Sequence, residues 1–458
     1  MPSLDTSRHL LDTRLHYTTA LMQQGRVLTD ADWNEMVQLE SEDRRQIIAE
    51  TVCTEGSPND GFKIGTPTAL AVDIYPGPPA KQNIQSYDFT FGAGSFYLGG
   101  YRFTCNPAEQ AETFASQMDW MSMAIGTGNF PSLPTAARTD IAYLYGWHDT
   151  VSSTEDQEFR ERALGGPDTT VRVRRMRRVQ VLPGTTATNC AEARAALKQS
   201  LIQPRPGDTG GPHSFSDEGT ELLSKTRLTV SFVTTGADGD PCKPSQVRGF
   251  IGAENQAIRV QLTTAKRFIW GIDNAAPLYR VQVDASDPSN KTLKFLTLPR
   301  DQASMPLLGQ AIELLPWGSH LANNEKAADS QGFVTAIDGT YDPDHQTVLL
   351  HDAVPANMIQ WLADQPASLD GRFDPSTQKH YFYARVWTGG ADQDFTPGTA
   401  VTLPDTGLAV TFGDFGIPGD YWIIAARPNT PDQLVPWRLL GGAGPHGARR
   451  FYPPPALI

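Results

Sequence analysis

Apolar and polar residues follow one pattern before about residue 61 and another after it. In the first part, Thr29-Asp30-Ala31-Asp32 has the form of a capping box, and Trp33 through Val52 holds no glycine or proline. Trp33, Met36 and Val37, then Ile47, Ile48 and Val52, make an interrupted apolar stripe around a charged waist from Glu40 to Arg45. This predicts a long N-terminal helix of about 22 residues, or about 33 Å. Two packings suit it: projecting onto a partner chain, or lying across its own domain.

From Gly61 onward the apolar runs are short and nearly alternating. Tyr87 to Gly94 followed by Ser95 to Phe103 predicts strands joined by tight glycine turns. Ile141 to Trp147, Val171 to Leu182, Leu228 to Thr234, Ala257 to Leu262, Arg267 to Ile272, Tyr279 to Val283 and Thr292 to Leu298 are further strands. Tyr381 to Trp387, Leu408 to Phe412 and Tyr421 to Ala425 continue the series, and Pro453, Pro454 and Pro455 predict an extended tail. A short helix fits Cys190 to Leu201, and Pro206 to Ser216 reads as a loop. The predicted fold class is mainly β with a long N-terminal helix, built as several β-sandwich or barrel-like units. The segments are an arm and helix over 1–60, a first β domain over 61–188, a helix and loop linker over 189–225, a second β domain over 226–385, and a C-terminal β segment and extended tail over 386–458.

Composition agrees with several packed units. The chain has 458 residues, of which 39% are hydrophobic, with 40 Gly and 35 Pro to supply turns. The net charge of −13 repels phosphate backbones, so nucleic-acid binding is not expected. Cys53, Cys105, Cys190 and Cys242 form no C-x-x-C pair and give no disulfide framework. Met1 to Leu15 carries Asp5, Arg8, Asp12 and Arg14 instead of a continuous apolar stretch, which predicts cytoplasmic synthesis without a signal peptide, and no segment is expected to span a membrane.

Candidate chemistry is sparse. The histidines form no H-E-x-x-H pair, and neither G-x-S-x-G nor G-x-x-x-x-G-K-[ST] occurs, so no catalytic residue, metal site or cofactor is expected. His148-Asp149 and His351-Asp352 place neighbours on opposite strand faces. Asp238-Gly239-Asp240 and Asp342-Pro343-Asp344 have a spacing used by calcium loops, but turn chemistry is the simpler account. Val171 to Val179 carries five arginines, at Arg172, Arg174, Arg175, Arg177 and Arg178, which predicts an edge strand or one paired with acidic neighbours including Asp156, Glu158 and Glu161.

Four blocks carry a resemblance. Tyr17 to Glu35 reads YTTALMQQGRVLTDADWNE, Ala163 to Asp168 reads ALGGPD, Gly249 to Asn274 runs from GFIGAENQAIRVQL to FIWGIDN, and Gly419 to Pro428 reads GDYWIIAARP. The chain resembles an uncharacterised domain family associated with phage-tail-like contractile injection systems. Where that family tends to read FKWSRENG, this chain has Phe268-Ile269-Trp270-Gly271-Ile272-Asp273-Asn274-Ala275 and lacks a charged pair. The resemblance implies a non-enzymatic subunit near a baseplate or spike, in a shell or at a fibre base, which binds copies of itself and other particle subunits within a particle that is either released or attached to a membrane. It supplies no catalytic residues.

In such an assembly, the two ends would serve as arms. The expected contacts are Leu21, Met22, Trp33, Met36 and Val37 at the amino end, and Phe451, Tyr452 and Leu457 at the carboxyl end. A second reading is a receptor or carbohydrate-binding module using Trp147, Trp317, Trp361 and Trp387. A third is a glycan-cleaving enzyme, for which the sequence shows no carboxylate pair.

Overall fold

A computed structural model of the chain describes residues 6–77, 79–105, 112–126, 128–203, 212–235, 247–273, 277–369, 378–453 and 456–458. Asp238 to Asp240, Cys242, Pro454, Pro455 and most of the predicted 206–216 loop lie outside the described residues.

The strand Tyr421–Ala426 shows how the sequence builds the sheets. It reads as one apolar run because both of its faces are covered. Trp422, Ile424 and Ala426 enter one core, while Tyr421 and Ile423 face a second cluster with Ala257. It pairs antiparallel with Gln256–Thr264, which pairs with Arg267–Ile272. A smaller sheet of Leu228–Phe232, Leu408–Phe412 and Ala400–Leu403 shares that first core through Val230, Val410 and Phe412. A six-stranded sheet follows the order Phe333–Ala336, Ala311–Leu315, Phe382–Trp387, Leu278–Val283, Thr292–Phe295 and Thr347–Leu349. The helix Ala356–Asp364 lays Met358, Trp361 and Leu362 into the core of that sheet.

The first half of the chain is organised on Thr139–Val151, paired along its length with Arg172–Thr185. Its other edge takes the chain's last strands, Arg450–Phe451 and Ala456–Leu457. Phe451 thereby joins a core with Phe89, Phe103, Phe114, Leu144 and Val179.

Buried ion pairs tie these units together. Arg174 and Arg177 reach Asp119 (2.6 and 3.7 Å), Arg177 also pairs with Glu112, and Arg178 reaches Asp329 at 3.1 Å. Arg172–Thr185 is paired only to Thr139–Val151, but its arginines bypass the expected Asp156, Glu158 and Glu161. Asp156 and Glu161 instead accept backbone N–H groups of short 3₁₀ turns, while Arg172 lies over the Phe159 ring and Arg174, Arg177 and Arg178 reach Asp119, Glu112 and Asp329.

The expected long N-terminal helix is overturned. The longest helix, α1, spans Asp30–Thr51 inside the chain, and residues 16–29 before it form no helix. Thr29 accepts the Asp32 N–H and Asp32 returns a bond to the Thr29 N–H, so the helix starts at this cap. The packing of α1 is also inverted. At about 100° per residue, Ala31, Leu39, Glu42, Arg45 and Ala49 share one face, and this face is the buried one. Trp33, Val37 and Ile47 lie on the other side and are exposed.

An ionic cluster sets this orientation. Arg45 pairs with Glu42 at 2.8 Å and donates from Nη1 to the Gly99 carbonyl at 3.0 Å. Arg449, near the chain's other end, donates to Glu42 at 2.9 Å, to the Tyr101 hydroxyl at 3.1 Å and to Glu221 at 2.8 Å. Gly100 (φ +80°) lets the turn approach, since a Cβ there would stand 2.2 Å from the Arg45 carbonyl oxygen. Burial opposes ionisation of Glu42, but Arg45 and Arg449 outweigh it and hold its carboxyl below the usual range.

Glu42→Ala would leave Arg45 only the partly exposed Glu218 and Arg449 only Glu221, so it is expected to lower unfolding free energy by about 3 kcal/mol. Urea denaturation of the variant against the parent checks this, and a loss below about 1 kcal/mol would remove the cluster from its central role.

Candidate functional site

Apolar side chains are exposed in an unusual concentration between residues 15 and 37. Leu15, Tyr17, Leu21, Met22, Val27, Leu28, Trp33 and Val37 are all exposed, with Val27 at 87% and Leu21 at 85%. Leu21, Met22, Val27, Leu28 and Trp33 among them line one groove and so share one apolar surface. Scattered surface apolar residues need no explanation, but a continuous stretch of this size does. A groove of about 430 Å³ runs through it, lined by Leu21, Met22, Val27, Leu28, Trp33 and Met36.

The local geometry follows from fixed ends. Residues 16–22 have no regular structure, and a turn closes with the Arg26 N–H donating to the Gln23 carbonyl at 3.2 Å, with Gly25 at φ +72°. Leu28 precedes the cap and Trp33 is the fourth helical residue, the spacing of a hydrophobic staple, and both line the groove. The preceding segment is pinned: Arg8 pairs with Asp32 at 2.9 Å, Ser7 donates to Asp30, and Arg438 donates to the Leu11 carbonyl (3.1 Å) and pairs with Asp12 (3.3 Å). The chain from 15 to 28 is thus a strap held at both ends.

His9 adds a titratable anchor, stacked on His446 with ring centroids 5.1 Å apart and planes 8° from parallel. Burial, then the Arg438 charge, pushes His9 down to about 4, while burial, His9 and Arg438 push His446 down as well. His446 Nδ1 accepts the Ile423 N–H at 2.9 Å, so protonation there would break that bond.

The expected contacts divide sharply. Leu21, Met22, Trp33 and Val37 are exposed and Met36 is half-buried in the same groove. Phe451 is 1% exposed inside the chain's own core, which corrects its assignment as a surface contact. Tyr452 stacks on Tyr145 at 5.0 Å, and Leu457 packs beside Ile141 and Ala193, so the carboxyl-terminal apolar groups are used within the molecule. Reading the tail as an arm failed because short strands flanked by prolines resemble a tail in sequence.

The other candidates have structural surroundings. Trp147, Trp317, Trp361 and Trp387 are all buried. His148 meets the Tyr101 ring edge-on at 4.5 Å, and burial, then Arg175, pushes it down to about 4. Asp342 accepts the N–H groups of Asp344 and His345, as a turn aspartate does. Among the described residues, no group of three or more His, Cys, Asp or Glu side chains is placed to hold a metal ion. Among them also, no helix is long and apolar enough to cross a membrane. Sequence reasoning missed Leu15, Val27 and Leu28 on the strap, although the staple spacing was a usable signal for Leu28. It also missed Glu42, Arg45 and Arg449, for which no local signal exists.

A protein-family profile described as "Family of unknown function (DUF6519)" matches residues 3–206. No curated protein and no solved structure matches the chain.

The docked strap holds both histidines with lowered affinity for protons. Its docking is therefore fully favourable above the ordinary imidazole value of 6.5 and is lost as pH falls from there towards about 4. Protection factors of the amides of residues 7–15, corrected for the intrinsic slowing of exchange at low pH, should be lower at pH 5 than at pH 8, and His9→Phe should reduce the difference. Equal protection at both pH values would contradict this.

Proposed function

We propose that this chain is a non-catalytic structural subunit of a phage-tail-like contractile injection particle, sited at the baseplate, in the shell around the spike or at a fibre base. Copies of it join through the strap and the outer face of α1, and further particle subunits complete the assembly. The observation that carries this reading is the apolar surface between Leu15 and Val37, whose exposure suits an interface between copies. The Tyr17–Glu35 motif block lies on that same surface, so the segment most like the contractile-system family is also the one left without an intramolecular role for its apolar side chains.

The proposed route is cytoplasmic synthesis followed by release within the particle. It assigns no nucleic-acid partner, consistent with a net charge of −13. The apolar face also explains why the ionic side of α1 is buried: a helix that binds on its outer side needs a firm seat on its inner side.

Removing the whole N-terminal segment is a poor test, because it would strip Glu42 and Arg45 from Arg449 and Tyr101. Leu21→Ser, Met22→Ser and Trp33→Ala together change only exposed side chains. Light scattering on the parent should give a multiple of the single-chain mass, and the triple variant should shift to the single-chain mass with an unchanged melting temperature. A parent that stays monomeric at every concentration, or a variant that assembles as the parent does, would refute the proposed interface.

A further inference from the structure

A second surface feature lies where the strap begins and owes nothing to the assembly reading. An open cleft of about 810 Å³ is bounded by Thr13 and Arg14 on one side, Arg227 on another, and Trp437 and Arg438 with the loop Gly441–Pro445 on the rest. Its volume is in the range of small-ligand sites. Two properties set it apart from an ordinary surface depression.

The first is charge. Three guanidinium groups line the cleft, and the neighbouring carboxylate is Asp12, which takes both Arg14 (2.7 Å) and Arg438 (3.3 Å). Arg227 donates to the neutral Gly442 carbonyl at 2.6 Å and pairs with no carboxylate among the described residues. In a chain of net charge −13, this is a local positive field pointing at a concave wall. A guanidinium that spends two N–H groups on Asp12 keeps donors for a second acceptor, since each carries five.

The second is Trp437, which is 71% exposed although it follows Pro436 in a short 3₁₀ turn whose next residue but one, Leu439, is fully buried. An indole held on a rigid turn and presented to solvent is a flat platform of low conformational entropy. The facing wall is backbone: a Cβ on Gly441 or Gly444 would meet nothing within 4 Å, so the floor is open to a ligand. A planar apolar platform beside cationic forks matches a pyranose ring that carries an acidic group, with its C–H face on the indole and its anion on the arginines.

We infer that this cleft is a binding site for an anionic glycan, with Trp437 as the stacking platform and Arg14 and Arg227 as the groups that hold the sugar's charge. The acidic group is a carboxylate or a sulfate, both of which accept from a guanidinium in this way. Neutral sugars lack the charge term, and a free inorganic anion lacks the stacking term.

Titration calorimetry on the full chain at pH 7.5 tests this with tetragalacturonate as the carboxylate probe, a heparin tetrasaccharide as the sulfate probe, and maltotetraose and inorganic sulfate as controls. At least one anionic tetrasaccharide should bind, and which one does identifies the acidic group. Maltotetraose and inorganic sulfate should each bind at least about tenfold more weakly. Trp437→Ala should weaken the anionic tetrasaccharide by about tenfold or more, while Arg14→Gln should weaken it and flatten its salt dependence, both with unchanged melting temperature because the two side chains are exposed. The site is refuted if neither anionic probe binds, if maltotetraose or inorganic sulfate binds as tightly as they do, or if Trp437→Ala leaves affinity unchanged.

Discussion

Everything distinctive about the amino-terminal region depends on the contact of Glu42 with Arg45 and Arg449, an ion cluster joining a helix near one end of the chain to the segment just before the strand Arg450–Phe451 near the other. A carboxylate and two guanidinium groups taken from water need close partners, and Tyr101, Glu221, Glu218 and the Gly99 carbonyl supply them. Because those partners lie only on the body side, α1 can seat with just one face down. The apolar face is then forced outward, carrying Trp33 and Val37, and the strap before it follows. Ordinary amphipathic packing would bury that face and leave nothing to assemble with.

The same device recurs elsewhere. Asp119 and Asp329 receive Arg174, Arg177 and Arg178, linking the long strand pair of the first half to the loops and hairpin beside it. Arg280 reaches Glu325 at 2.9 Å, and Arg450 reaches Asp420 at 2.6 Å. A buried pair contributes little net stability compared with a well-packed apolar substitute, yet breaking one is expensive. Such pairs therefore suit a molecule that must hold several β units in one geometry.

Much of the fold was legible where chemistry is local. The Thr29 box marked the start of α1, the Asn189-capped helix Cys190–Ile202 followed from its alanine and leucine content, and the apolar run Tyr421 to Ala425 marked a strand. What failed was non-local. Glu42 and Arg449 are 407 positions apart, so no pattern along the chain could show that Glu42 and Arg45, within the polar waist of α1, face inward. Phe451 looked like part of a loose tail because only distant partners, Gly146 in Thr139–Val151 and Glu221 in Glu221–Leu223, make it a strand. Leu21, Met22 and Trp33, expected at the surface, are exposed, whereas the exposure of Trp437 is a property of its turn and has no counterpart in sequence.

The account stands most directly on whether the outward face of α1 and the strap are covered by another protein surface. Hydrogen exchange by mass spectrometry, read on peptides covering residues 15–37 at concentrations that favour the assembled and the single-chain states, measures that cover. Residues 16–22 lie outside any helix or strand, so the account predicts fast exchange in the single chain and clear protection on assembly, with peptides from the Tyr421–Ala426 strand unchanged. Equal exchange of the 15–37 peptides in both states would contradict it.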